Sequence, residues 1–185
     1  MSLLAGLPAG AACTRQIPSA SRNTPLTAEI DRSESFSAAV VGEVNARRCQ
    51  AGLPPVAHDP AATRSSTGQS LWMAEAGAMT HDSTRPGHRT LAARLAAEGI
   101  SIRRKGYESI GALGFYSVAG LDCHVGRAIP TEAELAARIV QMWADSPAHR
   151  AQILSPEVQR AGAGAAVRLR EPGCGTVYLT ITLYG

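Results

Sequence analysis

Ala163, Ala165, Val167 and Leu169, then Val177, Leu179, Ile181 and Leu183, alternate with small or polar residues on either side of the turn Glu171-Pro172-Gly173-Cys174-Gly175. Strand side chains point alternately to two faces, so a period of two across a Pro-Gly turn predicts an antiparallel hairpin closing the fold. An isolated hairpin is marginal in water, and its apolar row has to be covered by what precedes it. Phe36, Val40, Val41 and Val44 recur at helical spacing up to Cys49, where Gly52-Leu53-Pro54-Pro55 ends the run. A second helix is expected from Asp59 or Pro60 to Ala78, and a third carries Leu91 and Leu95 before stopping at Gly99. Thr131-Glu132-Ala133-Glu134 is a capping box that opens a helix with Leu135, Ile139, Met142 and Trp143 along one stripe. Ile100-Ser101-Ile102-Arg103 reads as a third, shorter strand. Helices first and paired strands last make an α+β chain, with no internal repeat.

Alanine accounts for 33 of the 185 residues and aromatics for eight, so the elements have to pack closely and Leu, Val and Ile have to fill the core. A chain this long buries most of the surface of one medium domain. The basic residues are 17 Arg and one Lys, with a net charge of only +3. They are scattered, with Arg47/Arg48 and Arg103/Arg104 the adjacent pairs, which argues against a nucleic-acid footprint or a polybasic membrane segment. No apolar run approaches the roughly 18 residues needed to cross a bilayer. A monomer with no nucleic-acid partner and no transmembrane segment is the expectation.

Compartment is read from the N-terminus and the cysteines together. Residues 1–12 are short, apolar and rich in small residues, and lead into Ala11-Ala12-Cys13 without a preceding basic stretch. They read as an export-signal remnant, a lipoprotein-box-like segment or a start introduced at expression, and not as part of the fold. Residues 13–35 are polar and read as an irregular strap, which leaves 36–185 as the packed domain. Cys13, Cys49, Cys123 and Cys174 show no metal-ligand spacing, so in an exported chain they read as two disulfides. Three pairings are open. Their positions favour Cys13 with Cys49, joining the strap to the end of the first helix, and Cys123 with Cys174, joining a Gly-rich loop to the hairpin turn. A diacylated Cys13 would instead make the protein a lipoprotein. The expected location is secreted, periplasmic or cell-envelope.

Val44-Asn45-Ala46-Arg47-Arg48, Ala51-Gly52-Leu53-Pro54-Pro55-Val56 and Asp59-Pro60 resemble the opening helix and loop of the CAP superfamily, which groups cysteine-rich secretory proteins, antigen 5 and plant pathogenesis-related proteins. Met73-Ala74 with Thr80-His81, then Tyr107-Glu108-Ser109-Ile110, follow in the family's order. Trp143-Ala144-Asp145-Ser146-Pro147-Ala148-His149-Arg150-Ala151-Gln152-Ile153-Leu154 is the most specific match, and Ala161-Gly162-Ala163-Gly164 matches the glycine-rich start of the penultimate strand. The resemblance covers about residues 36–185 and is strongest to the bacterial SCP-like extracellular branch. It implies a three-layer α-β-α sandwich with a mainly antiparallel central sheet, holding the hairpin and the Ile100 to Ser109 segment. Where the family usually reads Gly-Glu-Asn this chain has Tyr107-Glu108-Ser109, and the last strand lacks the family's glutamine.

The resemblance also implies a cleft where His81, Glu108 and His149 converge, with Asp145, Ser109 and Ser146 as supporting residues. Two imidazoles and a carboxylate are a donor set that can hold zinc or another divalent metal weakly with positions left open. The same three residues can instead fasten loops to the sheet by hydrogen bonds. Ser146-Pro147 reads as an N-cap followed by Pro at the first helical position, which puts His149 at about the third residue of a short helix. His58, His88 and His124 read as exposed loop histidines, and Trp72 and Trp143 as core. No Gly-x-Ser-x-Gly elbow or phosphate-cradling glycine loop is present in the sequence.

Three functions follow from this reading. The first is a secreted, non-enzymatic binding or scaffold module that recognises a lipid, glycan or protein. The second is a metal-dependent hydrolase using the same cleft, with Glu108 as ligand or base. The third is a structural cell-envelope accessory protein with a vestigial cleft. No nucleophile or oxyanion arrangement is legible, so the reading leans away from an enzyme.

Overall fold

The computed structural model describes residues 13–116, 131–171 and 174–185. Helix α1 spans Ser19–Asn23 and a 3-10 turn spans Ile30–Arg32, followed by α2 (Glu34–Gln50), β1 (Ala57–His58), α3 (Pro60–Ala76) and α4 (Leu91–Ala97). Strand β2 (Gly106–Tyr116), helices α5 (Glu132–Asp145) and α6 (Pro147–Ile153), and strands β3 (Arg160–Glu171) and β4 (Cys174–Tyr184) complete the chain.

Local chemistry sets the helix ends. Ser33 Oγ accepts from Phe36 N to cap α2, Asp59 Oδ1 accepts from Ala61 N and Ala62 N ahead of Pro60, and Thr131 accepts from Glu134 N at α5. Helix α3 ends where Gly77 adopts the left-handed conformation at φ 66°.

The four strands lie in the order β1-β3-β4-β2, antiparallel except for the short parallel pairing of β1 with β3. The predicted hairpin is therefore the centre of the sheet, with β4 paired on both sides. One face carries Ala161, Ala163 and Ala165 of β3 with Val177, Leu179, Ile181 and Leu183 of β4, packed against Val40, Val44, Leu135, Ile139 and Trp143 of α2 and α5. Helix α3 covers the other face so closely that a Cβ at Gly162 would collide with the backbone of Ala62 and Thr63, and one at Gly164 with Thr67. That interface is largely polar. Ser66 Oγ bonds Gly162 O and Thr182 Oγ1, and Ser70 Oγ bonds Gly164 O and Thr180 Oγ1, all at 2.9–3.0 Å. Helices plus this mixed sheet form the expected α+β sandwich.

Three expectations need correction. Ile100–Arg103 is not a strand: the third strand starts at Gly106, Ile102 is exposed, and the Arg103 and Arg104 amides donate to Gly185 O. The Ile-x-Ile alternation there covers only four residues, too few to bury a row. Met142 lies exposed at the edge of its stripe while Leu135, Ile139 and Trp143 are buried. Leu169, at the far end of the hairpin, is exposed as well.

The strap is tied in. Leu26 and Ile30 are buried, Pro25 bridges to Thr131, and Glu132 N donates to Thr24 O. Cys13 is bonded to Cys49 across 36 residues, which commits the sulfur that a lipid anchor at Cys13 would need. Cys123 and the Cys174 side chain lie outside the described residues, and so does their expected pairing.

Candidate functional site

Strand β2 is the edge of the sheet, and its alternation sends Glu108 and Ser109 to opposite faces. Glu108 lies on the α3 and α4 side. Its Oε1 is 3.0 Å from His81 Nδ1 and its Oε2 is 2.5 Å from Arg94 Nη2. The Glu108 and Arg94 side chains are each 3% exposed, whereas that of His81 is 57% exposed. Since a carboxylate only accepts, His81 Nδ1 is the protonated ring nitrogen in this bond, and Nε2 is the atom left to solvent.

Arg94 does more than neutralise Glu108. Its Nη1 donates to the carbonyls of His81 (3.2 Å), His88 (3.2 Å) and Arg89 (3.1 Å), so one guanidinium organises both ends of the 81–89 loop. Gln69 of α3 holds the same loop through Nε2 to Thr80 O at 2.6 Å. Neither residue was identified from the sequence as part of the site. The signal available was one arginine in the otherwise Ala/Leu helix Leu91–Ala97, beside the buried Leu95.

His149 occupies the third position of α6, as its Ser-Pro cap predicted, and is half-buried. The α6 helix engages β2 from the other side, where Ser109 Oγ donates to Gln152 Oε1 at 2.7 Å. Among the described residues no hydrogen bond joins His149 to His81 or Glu108. Asp145 accepts from Gln141 Nε2 at 2.7 Å, and Ser146 caps α6 by position without a side-chain bond. The structure thus joins His81 to Glu108 and adds Arg94, with Ser109 tethering the strand to the helix that carries His149.

As the side chains stand, Glu108 itself presents no free oxygen to zinc or another divalent cation. Both Glu108 oxygens face donors, and the Arg94 cation stands beside the one oxygen not turned to His81. Among the described residues no group of three His, Cys, Asp or Glu side chains is spaced to hold a metal.

A model of the cysteine-rich secretory protein family, CAP, matches residues 41–168, which takes in the C-terminal part of α2, all of α3 and β2, and His81, Glu108 and His149. The chain belongs to the CAP family. Three solved structures share the CAP domain's fold. An extracellular SCP-domain protein from Bacillus anthracis is 21% identical with a TM-score of 0.58, aligning 86% of this chain with 44% of its own. An outer surface protein from Borrelia burgdorferi is 12% identical, TM-score 0.53, covering 87% and 98%. A cysteine-rich secretory protein from Staphylococcus aureus is 13% identical, TM-score 0.51, covering 84% and 40%. This CAP domain therefore spans less than half the length of the Bacillus and Staphylococcus proteins. No curated protein matches it significantly in sequence.

Two other histidines complete the picture. His58 is not a free loop residue: it lies in β1, half-buried, with Nε2 2.9 Å from Ser37 Oγ and 3.2 Å from Thr63 Oγ1. His88 is exposed, its Nδ1 donating to Pro86 O, and His124 lies outside the described residues. Trp72 and Trp143 are core, with indole N–H groups satisfied by Thr84 Oγ1 and Ile110 O.

Proposed function

We propose that this CAP domain is a non-enzymatic extracellular recognition module whose surface binds a lipid, glycan or protein. In this reading the His81–Glu108–Arg94 cluster shapes a loop and turns over no substrate. The observation that carries it is the double engagement of Glu108. A general base or metal ligand needs an oxygen directed at substrate, water or metal, and both Glu108 oxygens are directed at protein donors. An extracellular location is supported by the Cys13–Cys49 disulfide, a bond that persists in oxidising compartments. It is supported too by the neighbours, described as an extracellular protein, an outer surface protein and a secretory protein.

The test is a panel of peptidase and esterase substrates turned over by the wild type and by His81→Ala. The reading expects indistinguishable background rates. Turnover in the wild type that His81→Ala abolishes would overturn it.

A further inference from the structure

Residues 13–17 lie against α2 and are held there by few contacts. Cys13 is bonded to Cys49, Arg15 Nε is 3.2 Å from Glu43 Oε2, and Ile17 packs against the core. Among the described residues no backbone hydrogen bond ties 13–17 to the rest of the chain. Beyond Pro18 the attachment is different in kind. Ser21 is buried and its Oγ donates to Pro18 O, Pro25 bridges to Thr131, and Leu26 and Ile30 are buried. A stretch with few buried contacts and no backbone ladder opens at low free energy, so the chain before Pro18 can lift while the chain after it stays in place.

Helix α2 is shaped to receive this stretch. Gly42 lies in the helix interior, where glycine is less favourable than alanine. Its missing Cβ makes the seat, because a Cβ there would collide with the Gln16 carbonyl. The next residue, Glu43, has a side chain only 5% exposed, and Arg15 brings a cation to it from the strap. Burial pushes the Glu43 carboxyl above its ordinary value of 4.5 while Arg15 and Arg47 pull it down. The Arg15 side chain is 58% exposed, however, and an ion pair with one partner in water holds weakly. The disulfide is therefore the tie that keeps the strap seated.

We propose that residues 13–17 are a redox latch, pinned into the Gly42 seat by the Cys13–Cys49 bond and free to swing out about Pro18 once that bond is reduced, with the domain still folded. Cys49 is exposed and Cys13 half-buried, so a small thiol can reach the bond. The reductant is a dithiol: its thiolate attacks one sulfur, the S–S bond breaks, and the dithiol leaves as its own disulfide. Its two electrons and two protons remain on Cys13 and Cys49 as two thiols. The opened latch uncovers the Gly42 seat and takes Arg15 away from Glu43. This device goes beyond the recognition reading and requires nothing of His81, Glu108 or His149.

The test uses the full chain and three readouts. Dithiothreitol followed by iodoacetamide, without denaturant, should label Cys13 and Cys49 while the near-UV signal of the buried Trp72 and Trp143 is retained. In the Cys13→Ser, Cys49→Ser variant, which leaves the other cysteines alone, trypsin should cut after Arg15 at least roughly tenfold faster than in the wild type, again with that signal retained. Gly42→Ala should lower the melting temperature of the wild type, because the methyl displaces Gln16, yet leave that of the cysteine variant unchanged or raised, because the seat is already empty and alanine favours the helix. Labelling that comes only with loss of the near-UV signal would overturn the proposal. So would an unchanged cutting rate in the cysteine variant, or a Gly42→Ala penalty equal in both backgrounds. None of these outcomes bears on turnover by His81→Ala, which tests the recognition reading separately.

Discussion

Arg94 of α4 and Glu108 of β2, fourteen residues apart, form a 2.5 Å ion pair in which both side chains are almost fully buried. Removing two charges from water is costly, and a lone buried pair repays that poorly. Here His81 takes the other carboxylate oxygen and three carbonyls take Arg94 Nη1, so the pair sits in a network. Breaking it on one side strands the other charge. Arg94→Met is expected to destabilise the protein by about 3–5 kcal/mol, and the Arg94→Met, Glu108→Leu double variant to recover part of that loss. Urea unfolding of the two variants checks this; a double variant no more stable than the single one would show that the charges were not the cause.

A second buried contact predicts the response to pH. Tyr184 OH donates to Asp59 Oδ2 at 2.8 Å. Burial by itself would raise Asp59, but hydrogen bonds from Ala62 N–H, Tyr184 OH, Ala61 N–H and Arg160 hold it below its ordinary value of 3.8. Burial and the Asp59 carboxylate push Tyr184 from 10.0 up to about 12. Asp59, depressed in the folded state, contributes stability that is present above pH 3.8 and lost as pH falls through its folded value. Tyr184, raised, contributes stability that is complete below pH 10.0 and lost as pH rises through about 12. Tyr184→Phe is expected to cost about 1–3 kcal/mol at neutral pH and to flatten the alkaline limb of a stability-versus-pH curve. Retention of that limb would assign it to another group.

The contact between α3 and β3 predicts opposite signs for two glycine substitutions. Gly164→Ala drives a methyl into the Thr67 backbone and is expected to cost about 1–3 kcal/mol, because the helix has to move as a unit. Gly68→Ala, inside α3 with open space around it, is expected to stabilise by about 0.4–1 kcal/mol. Melting temperatures of both variants test the close approach directly.

These contacts also show what the sequence made legible. Alternating Val177, Leu179, Ile181 and Leu183 located the central strand because branched side chains recurring every second residue line one face of a strand and no face of a helix. Helices α2 and α5 were legible from the same kind of periodicity. Helix α3 buries Ser66 and Ser70 against Thr180 and Thr182, a polar match between elements over a hundred residues apart that no local pattern displays. Arg48 looked like one of many scattered arginines, yet it is fully buried and donates to Pro54 O, Ile153 O and Ser155 O. Arg94 was hidden for the same reason. Periodicity reports apolar burial, and the site rests on buried charge.

The Cys13–Cys49 bridge closes a loop of 36 residues. Replacing both cysteines by serine is expected to cost about 3–4 kcal/mol, mainly by freeing the unfolded chain, and to lower the urea midpoint accordingly. Non-reducing peptide mapping that linked Cys49 to Cys123 or Cys174 would contradict the bridge.

The central claim is that Glu108 is committed to Arg94 and His81 and is not held open for a metal. Calorimetric titration of zinc into the metal-free protein at pH 7.5 tests it most directly. The account predicts no saturable binding in the wild type and no difference between the wild type and His149→Ala. Stoichiometric zinc binding that both Glu108→Gln and His149→Ala abolish would contradict it.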